Sequence, residues 1–336
     1  MKPDVLVSIR NLYKEFDISG GMLEQLRLDG LRPYREQSIV RAVNGVSFEI
    51  PQGSTISVVG ESGCGKSTLA RTVVGLYPPN KGEIHYRGKR IDNLSESLMK
   101  PYRARMQMVF QDPYASLNPR MRVGTILREP VRFHNPDADR LTLDEKVANV
   151  MRQVGIDPDW RNRYPHEFSG GQRQRISIAR ALVVDPEFIV ADEPIAALDV
   201  SIQAQILNLL MDLQEDRGLT YLFISHDLSV VEHISSQVAV MYLGCLCEIA
   251  PAEALFQDPA HPYTRALLKA IPRLGGQFAH QKLAGEVPTP INLPSGCVFH
   301  GRCPYADDRC RTEIPQPLDR GEGRRVACHG VEEGRI

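Results

Sequence analysis

The stretch Gly60-Glu61-Ser62-Gly63-Cys64-Gly65-Lys66-Ser67-Thr68 has the form G-x-x-x-x-G-K-[ST]. Its glycines let backbone N–H groups turn inward around phosphate oxygens. A helix starting there adds its positive end. Lys66 supplies a point charge for β- and γ-phosphates, and Ser67 a hydroxyl for Mg²⁺. The plain alternative is a Gly-rich turn with no ligand. The apolar run before it and the helix-prone Leu69–Val74 after it favour the phosphate reading. By itself the loop says only nucleoside triphosphate. Cys64 sits beside Lys66 and near a helix N-terminus, both of which favour a reactive thiolate; the alternative is a small filler residue.

Phe188-Ile-Val-Ala-Asp192-Glu193-Pro194 is an apolar run ending in two carboxylates. A strand parallel to the one before the glycine loop would deliver Asp192 beside it, to hold Mg²⁺ through water. Glu193, one residue on, can face an attacking water as general base. Two solvated carboxylates are the bland reading, which the upstream loop disfavours. Near the end, Cys297, Cys303, Cys310 and Cys328 form C-x5-C-x6-C-x17-C. The close Cys pair of structural zinc is absent. A four-iron four-sulfur cluster, a zinc site and reduced surface thiols all stay open on residue type. His300 and His329 are spare imidazoles nearby. Cys245 and Cys247 share one face of an expected strand and read as packing residues.

These groups need a scaffold. Residues 5–16 alternate apolar and polar side chains, as do Ile39–Ile50, and both read as strands. Ser54–Val59 is the short β-branched run expected of a buried parallel strand. Asp17–Gln37 lacks a clear period and reads as a surface insertion, with Met22–Leu28 its one candidate helix. From about 112 to 165, a helical period at Leu143, Val147, Val150, Met151 and Val154 predicts a mostly helical subdomain. Strand and helix alternate again through Phe188–Ala191, Ala204–Leu213 and Tyr221–Ile224. Beyond Gly275 periodicity fades, so something other than an apolar core is expected to order the tail; a metal centre on four thiolates would do so.

A composition of 42% hydrophobic and 24% charged residues excludes wholesale disorder. Forty basic against 41 acidic side chains leave no overall basic excess, so nucleic acid is not an expected partner. No run reaches the ~18 apolar residues needed to cross a bilayer, and Met1–Asn11 lacks the apolar core of a secretory leader. A soluble, cytoplasmic chain that docks on a membrane partner fits these features. Seven cysteines without a leader argue against a disulfide framework.

Phe168-Ser169-Gly170-Gly171-Gln172, before the helix expected at Gln172–Val183, makes a second anion-binding end. It resembles the signature sequence of ABC ATPases, with Phe168 where Leu is commoner. One ATP needs one such end; two imply a two-fold sandwich in which each subunit's signature caps its partner's phosphate loop. Other matches follow the ABC order. Gln111 is similar to the Q-loop glutamine, Ala196-Ala197-Leu198-Asp199 to the D-loop and His226 to the switch histidine. Phe16 stands where an aromatic stacks on adenine, with Tyr13 as competitor. Val109–Pro119, Tyr164–Arg175, His261–Leu268 and the cysteine tail narrow the resemblance to the dipeptide/oligopeptide (nickel/peptide) importer ATPases. It covers nearly the whole chain, and departs at Asp17–Gln37 and at Ile195.

That resemblance implies an α/β fold. A P-loop ABC nucleotide-binding domain over residues 1–260 would combine a RecA-like core, an antiparallel β-subdomain and the helical subdomain at about 112–165. A Cys-rich C-terminal extension would span 261–336. It implies an ATPase powering peptide uptake, with nickel, glutathione or opines as alternative cargoes. ATP would be held by Phe16, Gly60, Ser62, Gly63, Cys64, Gly65, Lys66, Ser67, Thr68 and Gln111, and across the dimer by Ser169, Gly170, Gly171 and Gln172. Ser67, Gln111 and Asp192 would hold Mg²⁺, and Glu193, His226 and Gln111 would serve catalysis. The four tail cysteines would carry a 4Fe-4S cluster. Implied partners are a second ABC ATPase subunit, with a paralogue favoured, two membrane permeases and a periplasmic or extracellular solute-binding protein. The chain would sit peripherally on the cytoplasmic face of the cell membrane. A soluble ABC ATPase of DNA repair or translation is the competing class. Such proteins usually carry two cassettes or a long coiled-coil insertion, and neither is visible in this sequence.

Overall fold

A computed structural model describes residues 4–19, 26–29, 32–35, 38–196, 198–270 and 288–336. Two compact units emerge from its contacts.

The first comprises Met1–Val7, Ile50–Ser57 and Tyr86–Ser225. Its centre is a parallel ladder in which strand Phe188–Asp192 lies between Met106–Val109 and Thr220–Ile224. Val190 faces Met108 on one side and Leu222 on the other. Every residue of Phe188–Asp192 and of Thr220–Ile224 is buried. That explains their unbroken apolar runs, because parallel strands are covered on both faces. The helical region expected at about 112–165 consists of Pro113–Ser116, Val123–His134, Arg140–Gln153 and the 3₁₀ turn Pro158–Asn162. Asp139 starts the third of these by accepting the N–H groups of Leu141 and Thr142 at 2.8 and 3.0 Å. Leu143, Val147, Val150 and Met151 form its buried stripe. Helix Glu96–Arg105 carries no such stripe, since only Met99 is buried and Pro101 interrupts it. The sequence pattern therefore gives no sign of it.

The second unit comprises Ser8–Glu49, Val58–His85 and His226–Ile336. Strands Gln237–Tyr242 and Cys245–Pro251 form an antiparallel hairpin. Leu243 and Gly244 turn it with φ of +43° and +81°, the left-handed pair that matches the twist of two strands. Two short tail strands extend the sheet: Arg325–Val326 pairs with Glu248 and Ile249, and Leu318–Asp319 with Arg325–Val326.

Two expectations need correction here. The tail is ordered in part by an apolar core after all. Phe299, Cys297 and Cys310 are buried in one cluster with Tyr242, Leu255 and Tyr263. These residues are spaced irregularly in sequence, so no period announces them. Within Asp17–Gln37, Leu26–Asp29 pairs antiparallel with Arg32–Arg35. Leu26 and Leu28 thus belong to a strand and not to a helix, as the alternation Leu-Arg-Leu-Asp allows; Met22–Gln25 lie outside the described residues. Among the described residues no helix is long and apolar enough to cross a membrane.

Candidate functional site

The phosphate loop follows strand Thr55–Val59 and opens helix Lys66–Val73. Two of its glycines are fixed by space and by backbone conformation together. At Gly60 (φ +153°) a Cβ would stand 2.1 Å from the Met241 carbonyl oxygen. At Gly65 (φ +103°) it would stand 1.9 Å from that of Ala42. Lys66 is buried, and its Nζ donates to the carbonyls of Gly60 and Glu61 at 2.8 and 3.0 Å. Ser67 and Thr68 follow, each partly buried, while Ser62 and Gly63 are exposed. Cys64 is 2% exposed. Burial raises its pKa, and the nearby Lys66 offsets this only in part. Burial and the raised pKa favour a filler role inside the loop over a reactive thiolate.

The carboxylates end the central strand of the first unit. Asp192 is fully buried. Glu193 is partly exposed and has a φ of +47°, a left-handed conformation that costs a non-glycine residue about 1–2 kcal/mol. Such strain concentrates where function fixes a side chain. Its N–H donates to the Ile224 carbonyl at 3.0 Å, tying the turn to the next strand. Gln111 Nε2 donates to Glu193 Oε2 at 2.9 Å. Two expected catalytic side chains, 82 positions apart in sequence, are therefore in direct contact. His226 is exposed just before helix Leu228–Ile234.

Ser169 caps helix Gly170–Leu182. Its hydroxyl accepts the Gln172 N–H at 3.3 Å, and the Gln172 side chain accepts the Ser169 N–H at 3.0 Å. This reciprocal pair fixes the helix start and leaves it at the surface. A Cβ on Gly171 would come within 2.6 Å of Ile202 Cγ2, whereas one on Gly170 would meet only Leu198 Cδ2 at 3.7 Å. Phe168, where leucine is commoner, is buried with its ring centre 6.0 Å from that of Trp160. In the D-loop stretch, Ala197 lies outside the described residues, and Gln203 Nε2 donates to the carbonyls of Ile195 and Leu198, both at 3.1 Å.

Phe16 packs edge-on against Tyr77, with Lys14 Nζ 5.0 Å from its ring centre. Tyr13, three residues earlier and so on the other strand face, lines a groove with Asn11, Gly45 and Cys245. Cys247 is buried, and Cys245 accepts a bond from Asn44 Nδ2 at 3.5 Å, as packing residues would.

Cys297, Cys303, Cys310 and Cys328 all line one cavity, together with His261, His300 and His329. All four are free thiols. Burial pushes the Cys297 thiol up to about 12 and raises Cys303 and Cys310 as well. Such thiols stay neutral unless a cation draws off their protons. One nitrogen of each imidazole has a protein partner: His300 Nδ1 is 2.9 Å from the Cys297 carbonyl, His329 Nε2 is 3.0 Å from that of Glu313, and His261 Nδ1 accepts the Tyr263 N–H at 3.0 Å. Among the described residues, no three His, Cys, Asp or Glu side chains are gathered closely enough to hold one metal ion.

Glu61, Tyr263 and Arg302, which no local sequence pattern links, are joined in the structure. The N–H of Glu61, a variable position of the phosphate loop, donates to Tyr263 Oη at 2.9 Å. Its carboxylate receives both Arg302 Nη atoms, at 2.6 and 3.0 Å.

Comparisons with known proteins identify the family. A family model described as ABC transporter matches residues 43–196, and one described as the oligopeptide/dipeptide transporter C-terminal region matches residues 247–310. The chain is 50% identical to the oligopeptide transport ATP-binding protein AppF of Bacillus subtilis (strain 168), over 97% of each chain. It is 46% identical to the dipeptide transport ATP-binding protein DppF of Escherichia coli (strain K12), over 98% of this chain and 95% of the relative. Among solved structures, cbiO1 of Clostridium perfringens, part of the ABC transporter complex cbiONQ, is similar with a TM-score of 0.63 and 26% identity. That match covers 76% of this chain and 92% of the other. An ATP-binding cassette solved as a dimer in a post-hydrolysis state with ADP and Pi is similar with a TM-score of 0.61 and 25% identity, over 74% and 99% of the two chains.

Proposed function

The chain belongs to the ATP-binding subunits of ABC peptide transporters, and from that premise we propose how its residues do the work. It hydrolyses ATP to ADP and phosphate, and that reaction powers peptide uptake through membrane permease subunits. The observation that carries the reading is identity near 50% along almost the entire chain, C-terminal region included.

In this reading residues 1–260 are the nucleotide-binding domain, with its helical subdomain at about 112–165, and 261–336 the Cys-rich extension. Phe16 stacks on adenine. Backbone N–H groups of Gly60 to Thr68 surround the phosphates, and Lys66 leaves its loop carbonyls to meet the β- and γ-oxygens. Ser67, Gln111 and Asp192 offer hydroxyl, amide and carboxylate oxygens, a donor set that suits Mg²⁺. Glu193 takes the proton of the attacking water, held in place by Gln111. His226 holds the γ-phosphate and the water's geometry. Ser169, Gly170, Gly171 and Gln172 present their helix start to the nucleotide of a second ATPase subunit, a paralogue in a heterodimer. Two permeases and a solute-binding protein complete the transporter, and the chain works on the cytoplasmic face of the cell membrane.

The four tail cysteines suit a 4Fe-4S cluster. They offer four sulfur donors to one cavity, and a cluster takes one thiolate per iron, so it does not need three side chains gathered round a single ion. Cys297, Cys303, Cys310 and Cys328 would hold it, and when bound it would brace the tail.

The chain should co-purify with two permeases, and in vesicles its ATP turnover should rise several-fold with a peptide-loaded binding protein. Co-purification with nucleic-acid factors and no permease would favour the repair or translation class instead.

A further inference from the structure

Among the described residues, three hydrogen bonds from Tyr263 and Arg302 of the C-terminal region meet the phosphate loop at Glu61. Arg302 grips both carboxylate oxygens of Glu61 in a fork, and its side chain is only 6% exposed. Tyr263 accepts the Glu61 N–H, with its ring buried against Tyr242 and Phe299 at centre distances of 4.8 and 5.2 Å. Arg302 also lies 3.4 Å from the Tyr242 hydroxyl. On its other side, the Glu61 carbonyl receives Lys66 Nζ at 3.0 Å. Glu61 is therefore a joint between the tail and the lysine expected on the phosphates.

Arg302 is itself held by the cysteine region. It closes the 3₁₀ turn His300–Arg302, which lies between Cys297 and Cys303. Its N–H donates to the Phe299 carbonyl at 3.0 Å, while the Cys297 N–H donates to the Cys310 carbonyl at 2.8 Å. Cys297, Cys310 and Phe299 share one apolar cluster with Tyr242, Tyr263 and Val59, the last residue before the loop. A continuous packed path thus runs from the cysteine cavity through Arg302 and Glu61 to Lys66.

We infer that Arg302 is a positioning residue for nucleotide binding: through Glu61 it holds the phosphate loop in the shape that receives MgATP. The inference rests on reading that loop as the ATP site. It makes the tail part of the nucleotide machinery without placing any tail atom on the nucleotide. It also links the cysteine site to ATP affinity, because any change that shifts the Cys297–Cys303 turn shifts Arg302, and such coupling is reciprocal.

The test is equilibrium binding of a fluorescent ATP analogue with Mg²⁺ to the full chain, for wild type, Arg302→Ala, Arg302→Lys, Glu61→Gln and the Glu61→Gln/Arg302→Ala double variant. Arg302→Ala should weaken binding about tenfold, and Arg302→Lys, which keeps the charge but not the fork, about threefold. Glu61→Gln should cost as much as Arg302→Ala, and the double variant no more than either, because both break one contact. In the assembled transporter Arg302→Ala should raise the KM for ATP by the same factor with kcat unchanged. A Kd within twofold of wild type for Arg302→Ala, or losses that multiply in the double variant, would overturn the inference. Should Arg302→Ala fail to fold, the Lys and Gln variants carry the same comparison. Wild-type chain that does not bind the analogue would instead sink the ATP-site reading itself.

Discussion

Replacing Glu193 in two ways separates its charge from its backbone. Glu193→Gln keeps length and shape. The new amide can turn its oxygen toward Gln111 Nε2, so the 2.9 Å contact survives. What disappears is the base. Loss of general-base catalysis is worth roughly 10²–10⁴ in rate, or about 3–5 kcal/mol of barrier. ATP should still bind, since no phosphate-loop residue changes. Glu193→Gly also abolishes turnover, but its effect on stability is the informative part. Glycine in an ordinary element costs about 0.5–1 kcal/mol. At φ +47° the substitution relieves about 1–2 kcal/mol of left-handed strain, which offsets that cost and the loss of the exposed hydrogen bond to Gln111. Glu193→Gly should therefore be as stable as wild type within about 0.5 kcal/mol by urea unfolding of the full chain. Single-turnover hydrolysis in the assembled transporter gives the catalytic half. Near-normal hydrolysis by Glu193→Gln would refute the base assignment, and a stability loss above about 1.5 kcal/mol in Glu193→Gly would refute the strain argument.

Other outcomes follow from the same geometry. Gly171→Ala should destabilise by about 1–2 kcal/mol, because its Cβ would stand 2.6 Å from a stiff β-branched side chain, and Ile202→Ala in the same chain should recover most of that; urea titrations showing no recovery would count against the contact. Cys64 should resist alkylation in the native chain at pH 7.5 and react only on unfolding; rapid stoichiometric labelling of the folded protein would show that its thiol is not held neutral by burial. Anaerobically purified protein should contain iron and acid-labile sulfide in equal amounts, and Cys303→Ser should lose the iron and weaken MgATP binding together; stoichiometric zinc under ample iron and sulfur would exclude the cluster.

The parts legible in the sequence are those whose chemistry is local. Gly60 to Thr68 and Phe188 to Glu193 each lie within one strand–turn step, so spacing points to them directly, whereas Phe168 to Gln172 is legible by resemblance and its helix starts two residues earlier than expected, at Gly170. Phe188–Asp192 and Thr220–Ile224 announce themselves by apolar runs that both faces bury, whereas Met106–Val109, a short run with Gln107 inside it, does not. What stayed hidden depends on distant partners. Tyr263 and Arg302 meet Glu61 from 202 and 241 positions away, and no local period encodes such a pairing. Phe299 and its neighbouring cysteines enter a core from short irregular turns, so the apolar contribution of the tail leaves no stripe to read. Helix Glu96–Arg105 buries a single side chain, and a pattern of one is no pattern.

The tripeptide His261-Pro262-Tyr263 shows what the structure adds to a motif known only by resemblance. His261 Nδ1 accepts the Tyr263 N–H at 3.0 Å and so caps helix Pro262–Lys269. A cap acceptor needs a free lone pair, and His261 keeps one: burial lowers its pKa to about 3, with Arg265 acting in the same direction. Pro262 fills the first helical position, where no N–H is missed. The buried Glu248 carboxylate accepts the N–H groups of Ala260 and His261 at 3.0 and 2.9 Å, which fixes the approach to the cap. With entry, cap and first turn set, the Tyr263 ring packs against Tyr242 and Phe299, and its hydroxyl meets the N–H of Glu61 in the phosphate loop. The three residues therefore act as cap, starter and bolt. The bolt joins the same loop residue that Arg302 grips, so two separate stretches of the C-terminal region converge on one point of the loop. A tail whose only task was to brace itself would need neither contact.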